Sequence, residues 1–168
     1  MRELIIGDKR IADDTDAWVC AEIGNNHQGS VETARLLILA AKDCGVDAVK
    51  FQKRDNKTLF TKAMYDQPYN SENAFGPTYG AHREALEFDW DQYVELKQYA
   101  ESLGLIFFAT AFDIPSADFL CELGVPAFKI ASSLTHTSAC APSGIRPLFP
   151  SRLARLFFPA SLPNLHPR

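Results

Sequence analysis

The sequence predicts an α/β fold in which buried parallel strands alternate with helices. Four apolar stretches have the length and composition of buried strands, and each one ends in polar side chains. Helical patterns of apolar residues lie between them, and a glycine follows each helix. Strands that alternate with helices in this way pair in parallel through right-handed crossovers. The predicted strands cover residues 18–23, 46–51, 105–110 and 127–131.

The first elements along the chain have clear local signals. Residues 3–6 and 9–12 alternate around Gly7-Asp8, a dipeptide typical of tight hairpin turns. This pattern predicts a small two-stranded ribbon before the main fold. After the first strand of the sheet, Ser30 is in position to cap a helix whose apolar residues recur at helical spacing.

The later helices begin with equally specific signals. Asp89 followed three residues later by Gln92 has the pattern of a capping box, and Pro115 falls early in a short helix. Two of the strand-to-strand intervals, about 28 and 21 residues, suit a (β/α)8 barrel, also called a TIM barrel. Four βα units are half of such a barrel, so the sequence predicts a partial TIM barrel.

The interval between the second and third strands is longer and contains residues 54–88. This segment is rich in Asn, Tyr, Pro and Gly, and we expect a long loop without secondary structure. It follows the carboxyl end of a strand, where parallel α/β folds place their chemistry. We therefore expect this loop to contact substrate.

The sequence changes character near residue 135. All 21 acidic residues precede this point, and residues 135–168 contain four arginines and six of the ten prolines. Residues 1–134 therefore have a net charge of −8, from 13 basic and 21 acidic residues, whereas the tail has +4. We expect residues 1–134 to form the barrel portion. Residues 135–168 are predicted to be a divergent tail without a catalytic role, either disordered or the product of a shifted reading frame.

Composition excludes several classes of partner. The 168 residues are 46% hydrophobic and 23% charged, with a net charge of −4, which gives no sign of nucleic-acid or membrane-surface binding. No apolar run is long enough to span a bilayer, and residues 1–14 lack the pattern of a secretory signal. The four cysteines lack metal-ligand spacing. We expect a cytoplasmic protein with no nucleic-acid or membrane partner.

Two lysines stand inside apolar strands, which is the main chemical signal in the sequence. Lys50 lies in DAVKFQK and Lys129 in PAFKIASS, and a buried lysine requires a compensating charge. One interpretation is a structural ion pair with Glu22 at the end of the first strand. The other is an anion site, in which both ammonium groups face a phosphate or carboxylate beside the hydroxyls of Thr110 and Ser132. The equivalent positions of the two lysines favour the anion site.

Glu22 has a second interpretation, as a general acid or base or as a group that orients a substrate hydroxyl. It precedes a polar turn at residues 24–29 that leads to the Ser30 helix and could help to hold an anion. His27 in this turn is expected to be structural, because no metal-ligand spacing surrounds it. The sequence contains neither a Walker loop nor a GxGxxG motif.

Four blocks of sequence occur in an order that resembles the N-acetylneuraminate (sialic acid) synthase family. They are AEIGNNHQGSVETARLLILAAKDCGVDAVKFQK, PYNSENAFGPTYGAHREALEF, ATAFD and VPAFKIASS, all within residues 1–134. Members of that family combine a (β/α)8 barrel with a small antifreeze-like domain and are homodimers. The resemblance therefore implies a transferase of sialic acid and related carbohydrate biosynthesis.

The reaction implied by the resemblance is the condensation of phosphoenolpyruvate with N-acetylmannosamine, its 6-phosphate or a related N-acyl sugar. C3 of phosphoenolpyruvate attacks the sugar aldehyde, water adds at C2, and the tetrahedral intermediate expels phosphate. A divalent metal, Mn2+ or Mg2+, polarises the aldehyde in the family. The products are a nonulosonic acid and phosphate.

By motif position, the resemblance also implies roles for the residues at the strand ends. Lys50 and Lys129 would bind the phosphoenolpyruvate anion, and Thr110 and Ser132 would donate hydrogen bonds to it. Glu22 would be the catalytic carboxylate near the reacting carbons. The residues implied to meet the sugar are Gln52, Asn70 and Tyr79.

The sequence also departs from the family pattern. The metal-binding histidines and strands five to eight have no counterpart, and Ser133 and Leu134 replace an expected glycine and acid. We therefore expect a truncated chain that is inactive alone. Two alternatives are a non-catalytic half barrel that pairs with a full-length subunit, and another phosphoenolpyruvate-condensing 3-deoxy sugar-acid synthase. The blocks AEIGNNHQG and TYGAHREALEF argue against the second alternative.

Overall fold

The computed structural model describes residues 3–131 and begins with a hairpin. Strands β1 (Glu3–Ile6) and β2 (Lys9–Ala12) pair in antiparallel fashion, with Ile6 opposite Lys9. Gly7 in the turn has a φ of 60°, a backbone conformation that costs glycine little. The predicted hairpin is therefore confirmed. Ser132 and the predicted tail, residues 135–168, lie outside the described residues.

The main sheet has four parallel strands in the order of the chain, which confirms an α/β fold with a parallel sheet. Its strands are β3 (Cys20–Gly24), β4 (Ala48–Lys53), β5 (Ile106–Ala111) and β6 (Phe128–Ile130). The helices within residues 3–131 are α1 (Val31–Asp43), α2 (Asn56–Leu59), α3 (Lys62–Tyr65), α4 (Tyr79–Glu84), α5 (Trp90–Ser102) and α6 (Ile114–Glu122). None of the described helices has the length and apolar character needed to cross a membrane.

The long helices begin at the capping residues that the sequence indicates. At the start of α1, the Ser30 side chain accepts a hydrogen bond from the backbone N–H of Thr33. At the start of α5, Asp89 and Gln92 form both hydrogen bonds of a capping box. These bonds satisfy backbone donors that the first turn of a helix leaves without an intrahelical acceptor.

Residues 54–88 between β4 and α5 are structured, so the expectation of a loop without secondary structure was wrong. Helices α2, α3 and α4 begin at the capping side chains of Asp55, Thr61 and Thr78. Helices of four to six residues are too short to show an apolar period, so only their capping residues mark them in the sequence. The segment folds back on itself, because α2 and α3 both pack against α4.

One side of the main sheet is covered by the helices, and we call it the covered face. Val49, Phe51 and Phe107 point to this side and join one core with Ile38 of α1 and Leu96 of α5. Burial of each large apolar side chain contributes about 1.5–3 kcal/mol. This core fixes the strands relative to one another and thereby fixes the side chains on the opposite side.

The opposite side of the sheet is apolar only near the amino ends of its strands. There, Ala48, Ile106, Phe108 and Ala127 pack against Ile6 of the hairpin. The hairpin therefore forms a floor under this half of the sheet. Polar residues occupy the half near the carboxyl ends.

Candidate active site

Five of the predicted site residues share the side of the sheet opposite the helices, which we call the open face. Glu22 lies opposite Lys50 in the β3–β4 register, and Gln52 lies opposite Thr110 in the β4–β5 register. Thr110 in turn lies opposite Lys129 of β6. Because alternate residues of a strand point to the same side, these five side chains belong to one face near the carboxyl ends.

Lys50 and Glu22 form an ion pair between β3 and β4. The Lys50 side chain is 13% exposed, whereas the Glu22 side chain is 50% exposed. The ion pair considered from the sequence is thus confirmed, and its acidic member is open to solvent. Because a solvated carboxylate holds a cation weakly, an anionic ligand could replace Glu22 as the partner of Lys50.

Thr110 lies at the centre of a row of polar groups on three neighbouring strands. It is buried, with Gln52 on one side and Lys129 on the other. Lys129 itself is half-buried. A hydroxyl, an amide and an ammonium group can all donate hydrogen bonds, so this row is chemically suited to an oxyanion.

Gly24 allows the groups at the ends of β3 and β4 to approach each other. It has a φ of 57°, and a Cβ atom at this position would lie 3.1 Å from Nε2 of Gln52. The same Cβ would lie 3.5 Å from Oε1 of Glu22. The absence of a side chain at Gly24 therefore lets the Gln52 amide and the Glu22 carboxylate lie beside the same stretch of backbone.

Arg54 is a residue of this region that the sequence reasoning missed. Its side chain is buried, and its Nη2 donates a hydrogen bond of 2.5 Å to Oε1 of Gln52. Its guanidinium carbon lies 3.7 Å from the centre of the Phe112 ring, just after β5. The period of two along β4 was the available signal, because position 54 continues the series begun by Lys50 and Gln52.

The two predicted sugar contacts in the 54–88 segment differ in position. Tyr79 of α4 accepts a hydrogen bond of 3.1 Å from Nε of Arg83. Both residues lie close to Arg54, whose pKa is lowered first by burial and then by the charge of Arg83. Asn70 is exposed. Tyr79 lies near Arg54, which contacts Gln52 of the open face, and the roles of Tyr79 and Asn70 as sugar contacts stay predictions.

A second group of charges lies under the same segment on the covered face. Glu87 accepts a hydrogen bond of 3.2 Å from the backbone N–H of Arg54 and lies 3.4 Å from Nζ of Lys53. Burial raises the pKa of Glu87, and the neighbouring cations only partly oppose this shift. The group ties the end of β4 to the end of the 54–88 segment.

His27 has a structural environment. It is buried and stacks on Phe88, with ring centres 4.1 Å apart. Burial lowers its pKa to about 4, so the imidazole is neutral at physiological pH. Its Nδ1 accepts a hydrogen bond of 3.1 Å from the Gly29 N–H, which holds the turn before α1 in place.

The described residues do not by themselves provide a site for the divalent metal that the resemblance implies. Within residues 3–131, no group of three or more His, Cys, Asp or Glu side chains is arranged to hold a metal ion. Glu22, the carboxylate of the open face, already pairs with Lys50.

Several known proteins with similar sequences are named as synthases of sugar acids. The N-acetylneuraminate-9-phosphate synthase of Mus musculus is 44% identical over 119 residues, which are 71% of this chain and 33% of that protein. The enzyme of the same name from Drosophila melanogaster is 48% identical over 115 residues, 68% of this chain and 31% of that protein. The chain thus spans about a third of the length of the curated relatives it matches.

A solved structure with the same arrangement is the N-acetylneuraminic acid (sialic acid) synthetase of Leptospira borgpetersenii, in complex with citrate. Its TM-score is 0.63 at 29% sequence identity, over 79% of this chain and 42% of that one. The family model that matches the sequence is that of the NeuB family, over residues 37–140. That match covers more than half of the sequence and includes Lys50, Gln52, Thr110 and Lys129 of the open face. The chain therefore belongs to the NeuB family.

Proposed function

We propose that residues 1–134 form the phosphoenolpyruvate side of a NeuB-type synthase. Such an enzyme condenses phosphoenolpyruvate with N-acetylmannosamine, its 6-phosphate or a related N-acyl sugar. The observation that carries this proposal is the group of hydrogen-bond donors on the open face, in which Gln52 and Lys129 flank the buried Thr110 and Lys50 precedes Gln52 on the same side of β4. Two ammonium groups match the two anionic groups of phosphoenolpyruvate, its phosphate and its carboxylate.

The relatives support the same ligand class. Those with the highest identity are named synthases of a phosphorylated sialic acid, and the Leptospira protein was solved with citrate, a polycarboxylate. In the proposed complex, the ligand anion replaces Glu22 as the partner of Lys50. Thr110 and Ser132 donate hydrogen bonds to the oxygens of the ligand. Charge-assisted hydrogen bonds of this kind are about twice as strong as neutral ones.

Glu22 is then free to act as a base near the reacting carbons. The reaction forms a bond between C3 of phosphoenolpyruvate and the sugar carbonyl carbon, whose oxygen gains a proton. Water adds at C2 and gives one proton to the Glu22 carboxylate, which accounts for the proton gained by the sugar oxygen. The bond from C2 to the phosphate oxygen then breaks, the second proton of the water leaves with the phosphate, and C2 becomes a carbonyl carbon. The exposed position of Glu22 beside Gly24 and Gln52 is the feature that supports this role.

Gln52, Asn70 and Tyr79 are proposed to face the sugar, as the resemblance implies. We expect the 168-residue chain, expressed alone, to bind phosphoenolpyruvate without turnover, because it spans about a third of its relatives' length. The partial TIM barrel, the tail without a catalytic role, the homodimer, the divalent metal and the cytoplasmic location stay predictions. In a longer protein, the metal would need ligands beyond residues 3–131.

Calorimetric titration with phosphoenolpyruvate tests the proposal. Lys50→Met should weaken binding about tenfold to a hundredfold, since a hydrogen bond to a charged group contributes about 1.5–3 kcal/mol. The matched control is Lys97→Met on α5, because Lys97 is 21% exposed and pairs with the half-exposed Glu101 at 3.0 Å. Equal affinity in wild type and Lys50→Met, or no binding by the wild-type chain, would contradict the proposal.

A further inference from the structure

The side chain of Arg54 is held from three directions. Its Nη2 donates to Oε1 of Gln52 at 2.5 Å, its Nη1 lies 3.8 Å from Oε1 of Glu87, and its plane covers the ring of Phe112 at 3.7 Å. Only 7% of the residue is exposed. A buried guanidinium with these contacts has one position, so its neighbours are held in place as well.

The contact with Arg54 fixes the orientation of the Gln52 amide. A guanidinium can only donate hydrogen bonds, so the amide oxygen, not the nitrogen, must face it. Nε2 then points to the other side, beside Gly24 and the Glu22 carboxylate. Within the described part of the chain, this Nε2 donates no hydrogen bond to another residue.

We propose that Arg54 is a positioning residue that holds the Gln52 amide with only its donor towards the open face, so that Gln52 donates a hydrogen bond to the ligand and cannot accept one from it. An amide free to rotate can turn either its donor or its acceptor towards the ligand. A fixed donor bonds only an oxygen that accepts, whether carbonyl or hydroxyl. In the proposed function, which this inference deepens, that oxygen belongs to the sugar.

Arg35 offers a matched comparison on the outer surface of the helices. Its guanidinium carbon lies 3.9 Å from the centre of the Tyr99 ring, and its Nη1 lies 3.2 Å from Oε1 of Glu95. Arg35 thus contacts an aromatic ring and a carboxylate, as Arg54 does, but no glutamine. The bond to Gln52 and the burial of the side chain, 6% exposed against 42% for Arg35, distinguish Arg54 from an ordinary stacked arginine.

The first measurement is the order of the Gln52 side-chain amide by 15N NMR relaxation, which requires no ligand. We expect a rigid amide in the wild-type chain and in Arg35→Met, and a mobile one in Arg54→Met, with an order parameter below about 0.6. Arg54→Lys should restore part of the order, because lysine can donate to Oε1 but cannot also stack and reach Glu87 in the same way. A thermal melt of each variant shows that it is folded.

The second measurement is calorimetric titration with N-acetylmannosamine in the presence of phosphoenolpyruvate. Arg54→Met should weaken sugar binding at least tenfold and leave phosphoenolpyruvate affinity within twofold of wild type. Gln52→Glu keeps a partner for Arg54 but removes the donor, so it should fold and lose the same sugar affinity. If Arg54→Met does not fold, Gln52→Glu tests the proposal in its place.

The outcomes separate the two proposals. Loss of phosphoenolpyruvate binding in the wild-type chain would reject the proposed function, whereas the amide order would still test the role of Arg54. A Gln52 amide equally ordered in wild type and Arg54→Met would overturn the positioning role. Equal sugar affinity in wild type and Gln52→Glu would do the same.

Discussion

Two lysine–glutamate pairs lie at the carboxyl end of β4, and they differ in exposure. On the open face, Lys50 pairs with Glu22, whose side chain is half exposed. On the covered face, Lys53 pairs with Glu87 at 3.4 Å, and both side chains are largely buried, at 13% and 9% exposure. Under the proposed function a ligand anion replaces Glu22 in this open pair, whereas the closed pair, Lys53 and Glu87, ties the end of β4 to the end of the 54–88 segment.

The closed pair shows that a buried ion pair does not necessarily add to the stability of the fold. The raised pKa of Glu87 means that desolvation of its carboxylate exceeds the attraction of Lys53 and Arg54. Replacement of the whole group by apolar residues would therefore cost little, although removal of Glu87 alone leaves two largely buried cations without their carboxylate. The pair fixes the position of the 54–88 segment but contributes little net free energy to the stability of the fold.

The largest expected effect is on the closed pair. Glu87→Ala should lower the free energy of unfolding by about 3–5 kcal/mol, because it leaves Lys53 and the buried Arg54 without their carboxylate. Glu22→Ala should lower it by less than about 1 kcal/mol, because Glu22 is half exposed. Urea denaturation of the two variants measures the difference. Equal losses would show that the two pairs do not differ in the way their exposure indicates.

Protonation of His27, on the covered face, should make the free energy of unfolding depend on pH. Its pKa is lowered from 6.5 to about 4 in the fold, so the unfolded chain binds a proton more readily. The contribution of neutral His27 to the free energy of unfolding is therefore complete above pH 6.5. It falls by roughly 2–3 kcal/mol as the pH is lowered towards 4. Glu87, whose pKa is raised, acts in the opposite direction, since stability from that group falls as pH rises above its unfolded pKa.

Urea denaturation between pH 4 and 7 measures the slope. His27→Gln keeps the size of the side chain and removes the titrating group, so its stability should vary less over this range. A wild-type protein whose stability does not fall towards pH 4, or a variant with the same slope, would show that His27 is not the cause.

The smallest expected effect concerns the open pair. Glu22→Gln removes the acid that competes with a ligand for Lys50, and the affinity for inorganic phosphate should rise a few-fold. Glu101→Gln on α5 removes the carboxylate that pairs with Lys97 in the same way. Lys97 lies on this helix and not among the strand-end donors of the open face. Calorimetric titration with phosphate compares the two variants. An unchanged or weaker affinity in Glu22→Gln would argue that Lys50 is committed to its structural partner.

The sheet and its helices could be predicted from the sequence because each element has a strong local pattern. Ser30, Asp89 and Gln92 mark helix starts by their hydrogen-bonding groups, and the structure contains the bonds they predict. The five strand-end residues of the open face were predictable because parallel strands end at the same edge of a sheet. Their roles as ligand contacts stay predictions.

The 54–88 segment could not be predicted in the same way. Its helices are held by contacts between residues distant in sequence, such as the bonds that join Glu87 to Lys53 and Arg54. Its internal packing also depends on close approach, since a Cβ atom at Gly80 would lie 2.5 Å from the Tyr65 ring. No local period encodes such contacts, and Arg54 was missed because its importance depends on the position of the segment.

The hairpin under the open face ties the start of the chain to its later strands, since Ile6 packs against Ile106 and Ala127. The hairpin precedes β5 and β6 in the chain, so its contacts with them form only after those strands have been made. Contacts so distant in sequence form slowly. A chain that ends before residue 106 would therefore leave Leu4, Ile6 and Ile11 without the side chains that β5 and β6 contribute to this cluster. The floor of the site is completed late in folding, although the hairpin is made before those strands.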